Sequence, residues 1–323
     1  MRPHSPASRD ASPQPRRSAA RANAAPARFA GIAFSHPDRI LYPDLGLTKR
    51  DLGRYYEAIA PFALAEIADR PLSLVRCPDG VGAACFFVKH PPKGTSDALA
   101  RVELTERDKV GTYLVVRDEA GLMALVQMNV LELHTFHART GAIDTPDRLV
   151  FDLDPGPRVP WTDVVSAARS VKSRLTTYGL SGFLKSTGGR GLHVVVPLEA
   201  HAGWAETLAF ARTFCQSLAA AEPRYTLKLA KAGREAKIFL DYLRNARGAT
   251  SIATYSPRAK PGAPVATALA WDELDDFAPD RPFTVRTLPQ RLSAWSSEAV
   301  GPWKDFEASR RVLPTGDQVE SIQ

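Results

Sequence analysis

The chain has 323 residues, 44% of them hydrophobic, which is enough for an ordinary buried core in one large domain or two small ones. A formal net charge of +7 favours a polyanionic partner, nucleic acid before membrane, because no basic amphipathic helix stands out. No apolar run approaches the ~18 residues of a membrane span and no signal-peptide core opens the chain, so a cytoplasmic location is expected.

Residues 1–28 are rich in Ala, Pro, Ser and Arg and lack apolar periodicity, the pattern of a disordered basic tail. Prolines at 3, 6, 13, 15 and 26 spoil the amphipathic helix of a transit peptide. A folded domain is expected over 29–312, with order established by Ile32 and a second tail over 313–323. Thr48-Lys49-Arg50-Asp51 opens a helix with Leu52, Tyr55, Tyr56 and Ile59 on one buried face. Strands follow at 72–76 and around 86–89, then a helix through 120–127 and a strand at 130–134. Thr162 or Asp163 is expected to cap a helix carrying Val164, Ala168, Val171 and Leu175, stopped by Gly179. Strands at 182–185 and 192–198, a helix through Trp204–Leu218 and a strand at 237–241 complete an α+β pattern without strict βαβ regularity. Cys77, Cys85 and Cys215 are an odd count with no C-x-x-C pair, and read as reduced structural thiols.

The stretch Leu149 to Gly156 carries the most chemical information. Strand alternation puts Leu149, Phe151 and Leu153 on one face and Asp152 and Asp154 on the other, their Cα atoms roughly 7 Å apart. Two anions so placed repel, and the usual relief is either a raised pKa on one of them or a bound divalent cation such as Mg2+ or Mn2+, the metal being the sharper reading. Asp154-Pro155-Gly156-Pro157 is also good turn sequence, which accounts for Asp154 but not for Asp152. An apolar strand ending in Asp-x-Asp also resembles the nucleophile and acid pair of haloacid-dehalogenase-type phosphatases, although Pro155 and Gly156 depart from that pattern.

A third carboxylate, Asp241, ends the apolar run Lys237–Leu240. The segment Ser186-Thr187-Gly188-Gly189-Arg190-Gly191-Leu192-His193 has glycines that let backbone N–H groups approach phosphate, with Lys185, Thr187, Arg190 and His193 as further donors. A plain glycine-rich hairpin explains the same residues equally well. His134 and His137 form an H-x-x-H without the further ligands a zinc site needs. Arg234, Lys237, Arg244, Arg247 and Arg258 are interleaved with Phe239, Tyr242 and Tyr255, which suits either a solvated face or a nucleotide's phosphates and base. Three carboxylates, a glycine loop and a histidine together point to metal-assisted phosphoryl chemistry.

These segments, in this order, closely resemble the polymerase domain of bacterial ligase D, the end-joining branch of the archaeo-eukaryotic primase superfamily. The resemblance runs from about residue 34 to about residue 310. It covers His36-Pro37-Asp38-Arg39, Thr48-Lys49, Arg70-Pro71, Arg76-Cys77-Pro78-Asp79-Gly80, Phe86-Phe87-Val88-Lys89-His90 and Glu132-Leu133-His134. It continues through Pro146–Gly156, Gly188–His193, Asp241–Asn245, Tyr255–Arg258 and Trp271–Leu274.

The resemblance implies a primase-like fold with a mixed or antiparallel catalytic sheet flanked by helices, and a nucleotidyltransferase that extends a DNA 3′ end. Ribonucleotides and Mn2+ would be favoured. Asp152 and Asp154 would bridge two metals and Asp241 would ligate the one that activates the primer hydroxyl. His193, Thr187 and Arg190 would hold the incoming triphosphate, with Arg234, Arg244 and Arg258 completing the nucleotide set. His134 would lie near the nucleotide, Phe86 or Phe87 would stack on its base, and Arg39 and Lys49 would grip a 5′-phosphate at a gap or break. Thr187 stands where Ser is usual, Arg190 where Lys is usual and Ala236 where Gly is common. The resemblance further implies a bacterial, nucleoid-associated module standing alone, with a ligase and a Ku-like end-binding protein on separate chains.

Overall fold

The structure is a computed structural model that describes residues 27–106, 109–295 and 301–314. Most of both expected tails lies outside these residues. Where they are described, order reaches further than expected: Arg28 already pairs in a strand, and Leu313 is buried in a core.

A hairpin of β1 (Arg28–Phe29) and β2 (Ile32–Ala33) precedes β3 (Ile40–Tyr42) and β4 (Leu47–Thr48), which runs into α1 (Lys49–Ile67). Next come β5 (Pro71–Arg76), β6 (Phe86–Val88), β7 (Ala100–Glu106), β8 (Lys109–Val115), α2 (Glu119–Gln127) and β9 (Val130–Thr135). The second half holds β10 (Arg148–Pro155), α3 (Trp161–Thr177), β11 (Phe183–Ser186), β12 (Leu192–Pro197) and α4 (Trp204–Ala221). It ends with β13 (Tyr225–Thr226), β14 (Ile238–Asp241), β15 (Ser251–Ile252), β16 (Thr267–Leu269) and α5 (Leu288–Ser293).

Local chemistry sets the helix starts. The Thr48 hydroxyl accepts from Asp51 N–H while the Asp51 carboxylate accepts from Thr48 N–H at 2.9 Å, a reciprocal cap. Helix α3 departs from expectation: its N-cap is Pro160, with no side-chain cap bond. Thr162 and Asp163 fall inside the first turn, where the Asp163 charge favours the helix dipole.

Two six-strand sheets form the body. The first runs β13-β14-β10-β12-β11-β16, antiparallel except for β13 on β14, so it is the expected mixed sheet. The second runs β15-β9-β5-β8-β7, with β6 also paired to β5. Strand β10 separates two cores. Leu149, Phe151 and Leu153 pack with α3 and α4 residues such as Val171 and Phe214, while Val150 points into the other core with Leu133 and Ile59. Two residues further along the Val150 face are Asp152 and Asp154, so the site begins where that face turns polar.

The β7–β8 hairpin is an element that the sequence pattern does not announce, and two cysteines differ from expectation. Cys77 and Cys85 form a disulfide, and Cys215 is the free, buried thiol. The reason lies in register. Arg76 pairs with Phe86 across β5 and β6, so the residues just outside that pair must face each other, which a count of cysteines does not see.

Candidate active site

Neighbouring strands deliver the three carboxylates. Asp152 on β10 lies opposite Asp241 on β14 and, on its other side, opposite His193 on β12. Arg244, in the 3-10 turn after β14, places its Nε 3.2 Å from Asp152 Oδ2 and 3.1 Å from Asp241 Oδ2. That turn is clamped by Asn245, which is fully buried, accepts from Val150 N–H and donates to Val150 O, both at 2.8 Å. Asp154 pairs with Arg234 at 3.2 Å, and the Arg234 guanidinium lies over the Phe239 ring. Gly156 lets the chain turn beside Arg234, because a Cβ there would lie 2.0 Å from the Arg234 carbonyl. Among the described residues no trio of His, Cys, Asp or Glu converges on one point.

Burial pushes the Asp152 carboxyl up, but His193 and Arg244 outweigh it and hold its pKa at about 2. Burial and the charge of Asp152 push Asp154 above its ordinary value. Asp241 is also raised, by burial first and by Asp152 against the pull of Arg244. Burial brings His193 down to about 4, so its imidazole is neutral near pH 7. A guanidinium spanning two facing carboxylates is a stand-in cation, and hard oxygen donors on one face fit a divalent metal.

The glycine loop joins β11 to β12, which are antiparallel, so it is a hairpin. Gly188 takes φ +67°, and Thr187 donates its hydroxyl to Gly191 O at 3.0 Å. Arg190 is exposed on the cavity side of the loop and donates to Pro157 O and Val159 O at 3.0 and 2.8 Å. Lys185, expected among the phosphate donors, is instead buried and donates to Ile252 O at 2.7 Å, and burial brings its pKa to about 7. A cavity of about 500 Å3 opens over the loop and is lined by Asp152, Asp154, His134, His193, Arg244 and Arg258 among others. Lys260 lines it too and was not singled out from sequence; its signal is the alternation Arg258-x-Lys260, and its ammonium would sit 3.4 Å from a Cβ at Gly189. Phe86 and Phe87 are both more than half exposed, with the Phe87 ring 6.1 Å from the His134 ring. His137 is buried apart from His134, its Nε2 2.8 Å from Ser251 Oγ.

A second cavity, of about 460 Å3, gathers Arg39, Lys49 and Arg76. Arg39 donates to Pro78 O at 2.6 Å and pairs with Asp79. Lys49 is buried, and its ammonium donates to Ser35 O and Gln127 O, each at 3.0 Å. Burial and the charges of Arg39 and Arg76 lower its pKa to about 8. A larger cavity, about 770 Å3, lies elsewhere, between the β7–β8 hairpin and residues 246–249, with Glu106 the one carboxylate among its described lining residues. Among the described residues no helix is long and apolar enough to cross a membrane.

Residues 48–298 match the family model described as LigD, primase-polymerase domain. The chain belongs to this family. LigD primase-polymerase domains are metal-dependent nucleotidyltransferases, and the α+β architecture above is theirs. The chain is 37% identical over 306 residues to the multifunctional non-homologous end joining protein LigD of Pseudomonas aeruginosa, covering 94% of this chain and 36% of that protein. It is 28% identical over 263 residues to the bifunctional non-homologous end joining protein LigD of Bacillus subtilis, covering 81% of this chain and 42% of that one. The chain thus spans well under half the length of these relatives. Among solved structures, the polymerase domain of Mycobacterium tuberculosis ligase D in complex with DNA superposes with a TM-score of 0.79 at 31% identity, covering 86% of this chain and 98% of that one. Nothing in these likenesses supports the dehalogenase-type phosphatase or a non-catalytic end-binding protein.

Proposed function

We propose that this LigD primase-polymerase domain adds nucleotides, ribonucleotides in preference, to the 3′-hydroxyl of DNA at gaps and double-strand breaks, in support of end joining. The observation that carries the reading is the facing pair Asp152 and Asp241 with Asp154 beside them, set under a glycine loop ringed by cations. Asp152, Asp154 and Asp241 would hold the metals, two Mn2+ or Mg2+ ions, and when bound these neutralise charge on the triphosphate and make the primer hydroxyl a better nucleophile.

The protein's own groups supply the rest. Loop N–H groups at Gly188–Gly191, with Arg258, Lys260 and His193, take the triphosphate. The Arg244 and Arg234 guanidiniums pair with the carboxylates in the free protein and would be placed to donate to the nucleotide's phosphates. Phe86 and Phe87 offer a stacking surface for a base. Arg39, Lys49 and Arg76 make the second cavity electropositive and suited to a 5′-phosphate on the far side of the gap. A Ku-like protein and a DNA ligase would complete the joining, and the DNA substrate would suit a cytoplasmic, nucleoid-associated location.

Primer extension on a gapped duplex tests this, comparing NTP with dNTP and Mn2+ with Mg2+, beside nitrophenyl phosphate hydrolysis. The expected result is addition of one or a few nucleotides, strongest with NTP and Mn2+, and no phosphatase activity. Failure to extend under every combination would overturn the assignment.

A further inference from the structure

Glu132 on β9 touches two residues of the nucleotide cavity and has no role in the reading above. Its Oε2 lies 2.9 Å from His134 Nε2, and its Oε1 accepts from Arg258 Nε at 3.0 Å and from Ala259 N–H at 2.8 Å. Burial alone would push this carboxyl up, but His134 and Arg258 outweigh it and hold the pKa at about 2, so at neutral pH Glu132 only accepts. The Nε2 of His134 must therefore carry a proton. Burial also pulls His134 below its ordinary value, so the ring is neutral and its Nδ1 keeps a lone pair. Nδ1 makes no hydrogen bond among the described residues, and His134 lines the cavity.

An acceptor of this kind repels a phosphate oxygen and takes an O–H or N–H donor. The second arm is mechanical: with Nε on Glu132 and Nη1 donating to Thr187 O at 2.6 Å, Arg258 is a strut between β9 and the glycine loop.

We infer that Glu132 is a positioning residue of the nucleotide site, fixing His134 as a hydrogen-bond acceptor for a hydroxyl or amino group of the nucleotide and holding Arg258 against the loop. This rests on reading the cavity as a nucleotide site. Glutamine at 132 keeps the size but not the function, because its NH2 opposes one of the two donor arms.

Long-range 15N–1H correlation spectra of the histidine rings in the full chain, without DNA, read the tautomer directly. Wild type should show His134 with a protonated Nε2 and a bare Nδ1, and E132Q should populate the reverse form. Titration of ATP with Mn2+ should show binding weakened about tenfold in E132Q, and the E132Q penalty should shrink in an H134A background, since one path then no longer exists. A wild-type Nδ1–H tautomer overturns the inference and requires no variant. So does E132Q with unchanged tautomer and ATP affinity and only a lower melting temperature. Both readouts are independent of primer extension, so an inactive polymerase would count against the proposed function and leave this test standing.

Discussion

Asp152 and Asp241 face each other on adjacent antiparallel strands, and one guanidinium, that of Arg244, spans the gap between them at 3.2 and 3.1 Å. The two carboxylates nevertheless sit in opposite electrostatic states, and this separates their mutants. Asp241→Asn and Asp152→Asn should both abolish nucleotide addition. In EDTA at neutral pH their stabilities should diverge. Asp241 has a raised folded pKa, so its ionised form costs stability once pH exceeds that value, and Asp241→Asn should melt no lower than wild type. Asp152 is held at about 2, partly by Arg244, which stays charged at neutral pH, so its charge stabilises the fold above the unfolded value and Asp152→Asn should melt lower than wild type. Thermal melts in metal-free buffer check both signs.

A buried anchor away from the site should govern acid stability. Arg70 is fully buried and donates to both Asp147 oxygens at 2.7 and 2.6 Å. Burial raises the Asp147 carboxyl, but Arg70 outweighs it and brings the pKa to about 2. The folded value is depressed, so this contribution is complete above about pH 4 and fades as pH falls toward 2. Asp147→Ala leaves Arg70 without its carboxylate partner and should cost about 3–5 kcal/mol in urea unfolding. Asp147→Asn should flatten the loss of stability between pH 4 and 2.

Arg39 and Lys49 line one cavity, and their variants should differ. Arg39→Ala should weaken binding to a gap bearing a 5′-phosphate more than to the same gap with a 5′-hydroxyl, because a phosphate contact is charge-assisted. Lys49 is itself buried and donates to two partly buried carbonyls, so Lys49→Ala should also lower stability, by about 1 kcal/mol through the lost hydrogen bonds. Binding to both gaps, set beside melting temperatures, separates the two effects. Equal losses on the two substrates for Arg39→Ala would mean that the residue adds only general charge.

The sequence shows strand β10 clearly because alternation there has one physical meaning: Leu149, Phe151 and Leu153 must be buried, so Asp152 and Asp154 must share the other face. Helix α1 is equally legible from its capping box. What stays hidden depends on register between segments far apart in the chain. Asn245 clamps Val150 across 95 residues and Glu132 reaches Arg258 across 126, and neither leaves a local pattern. Burial is hidden for the same reason. Lys185 and Lys49 read as phosphate donors by type, and only the packing around them shows that their ammonium groups are engaged by carbonyls.

The cysteine pair gives a chemical check on register. Intact protein denatured without reductant should show one alkylatable thiol, Cys215, and three after reduction. Closing the short loop between Cys77 and Cys85 should contribute about 2–3 kcal/mol by chain entropy, so Cys85→Ser should lower stability by that order. Three free thiols before reduction would contradict the pairing.

Arg190 is the position where the resemblance implied a lysine, and the surroundings in this chain use what a guanidinium has and an ammonium lacks. The guanidinium donates to two backbone carbonyls, Pro157 O and Val159 O, and so pins the turn that follows Asp154 to the glycine loop. A planar fork makes two such bonds with one side chain in a fixed geometry, which a single ammonium does not reproduce. Arg190→Ala should therefore loosen the turn and raise the KM for ATP, at a cost of about 1–3 kcal/mol in kcat/KM. Arg190→Lys should recover little of it. A residue acting only as a phosphate ligand behaves differently, because lysine restores the charge and with it most of the affinity. Steady-state kinetics of ATP addition to a gapped primer for both variants decides the matter: full recovery by lysine would place Arg190 on the triphosphate, and persistent loss would place it in the scaffold beneath.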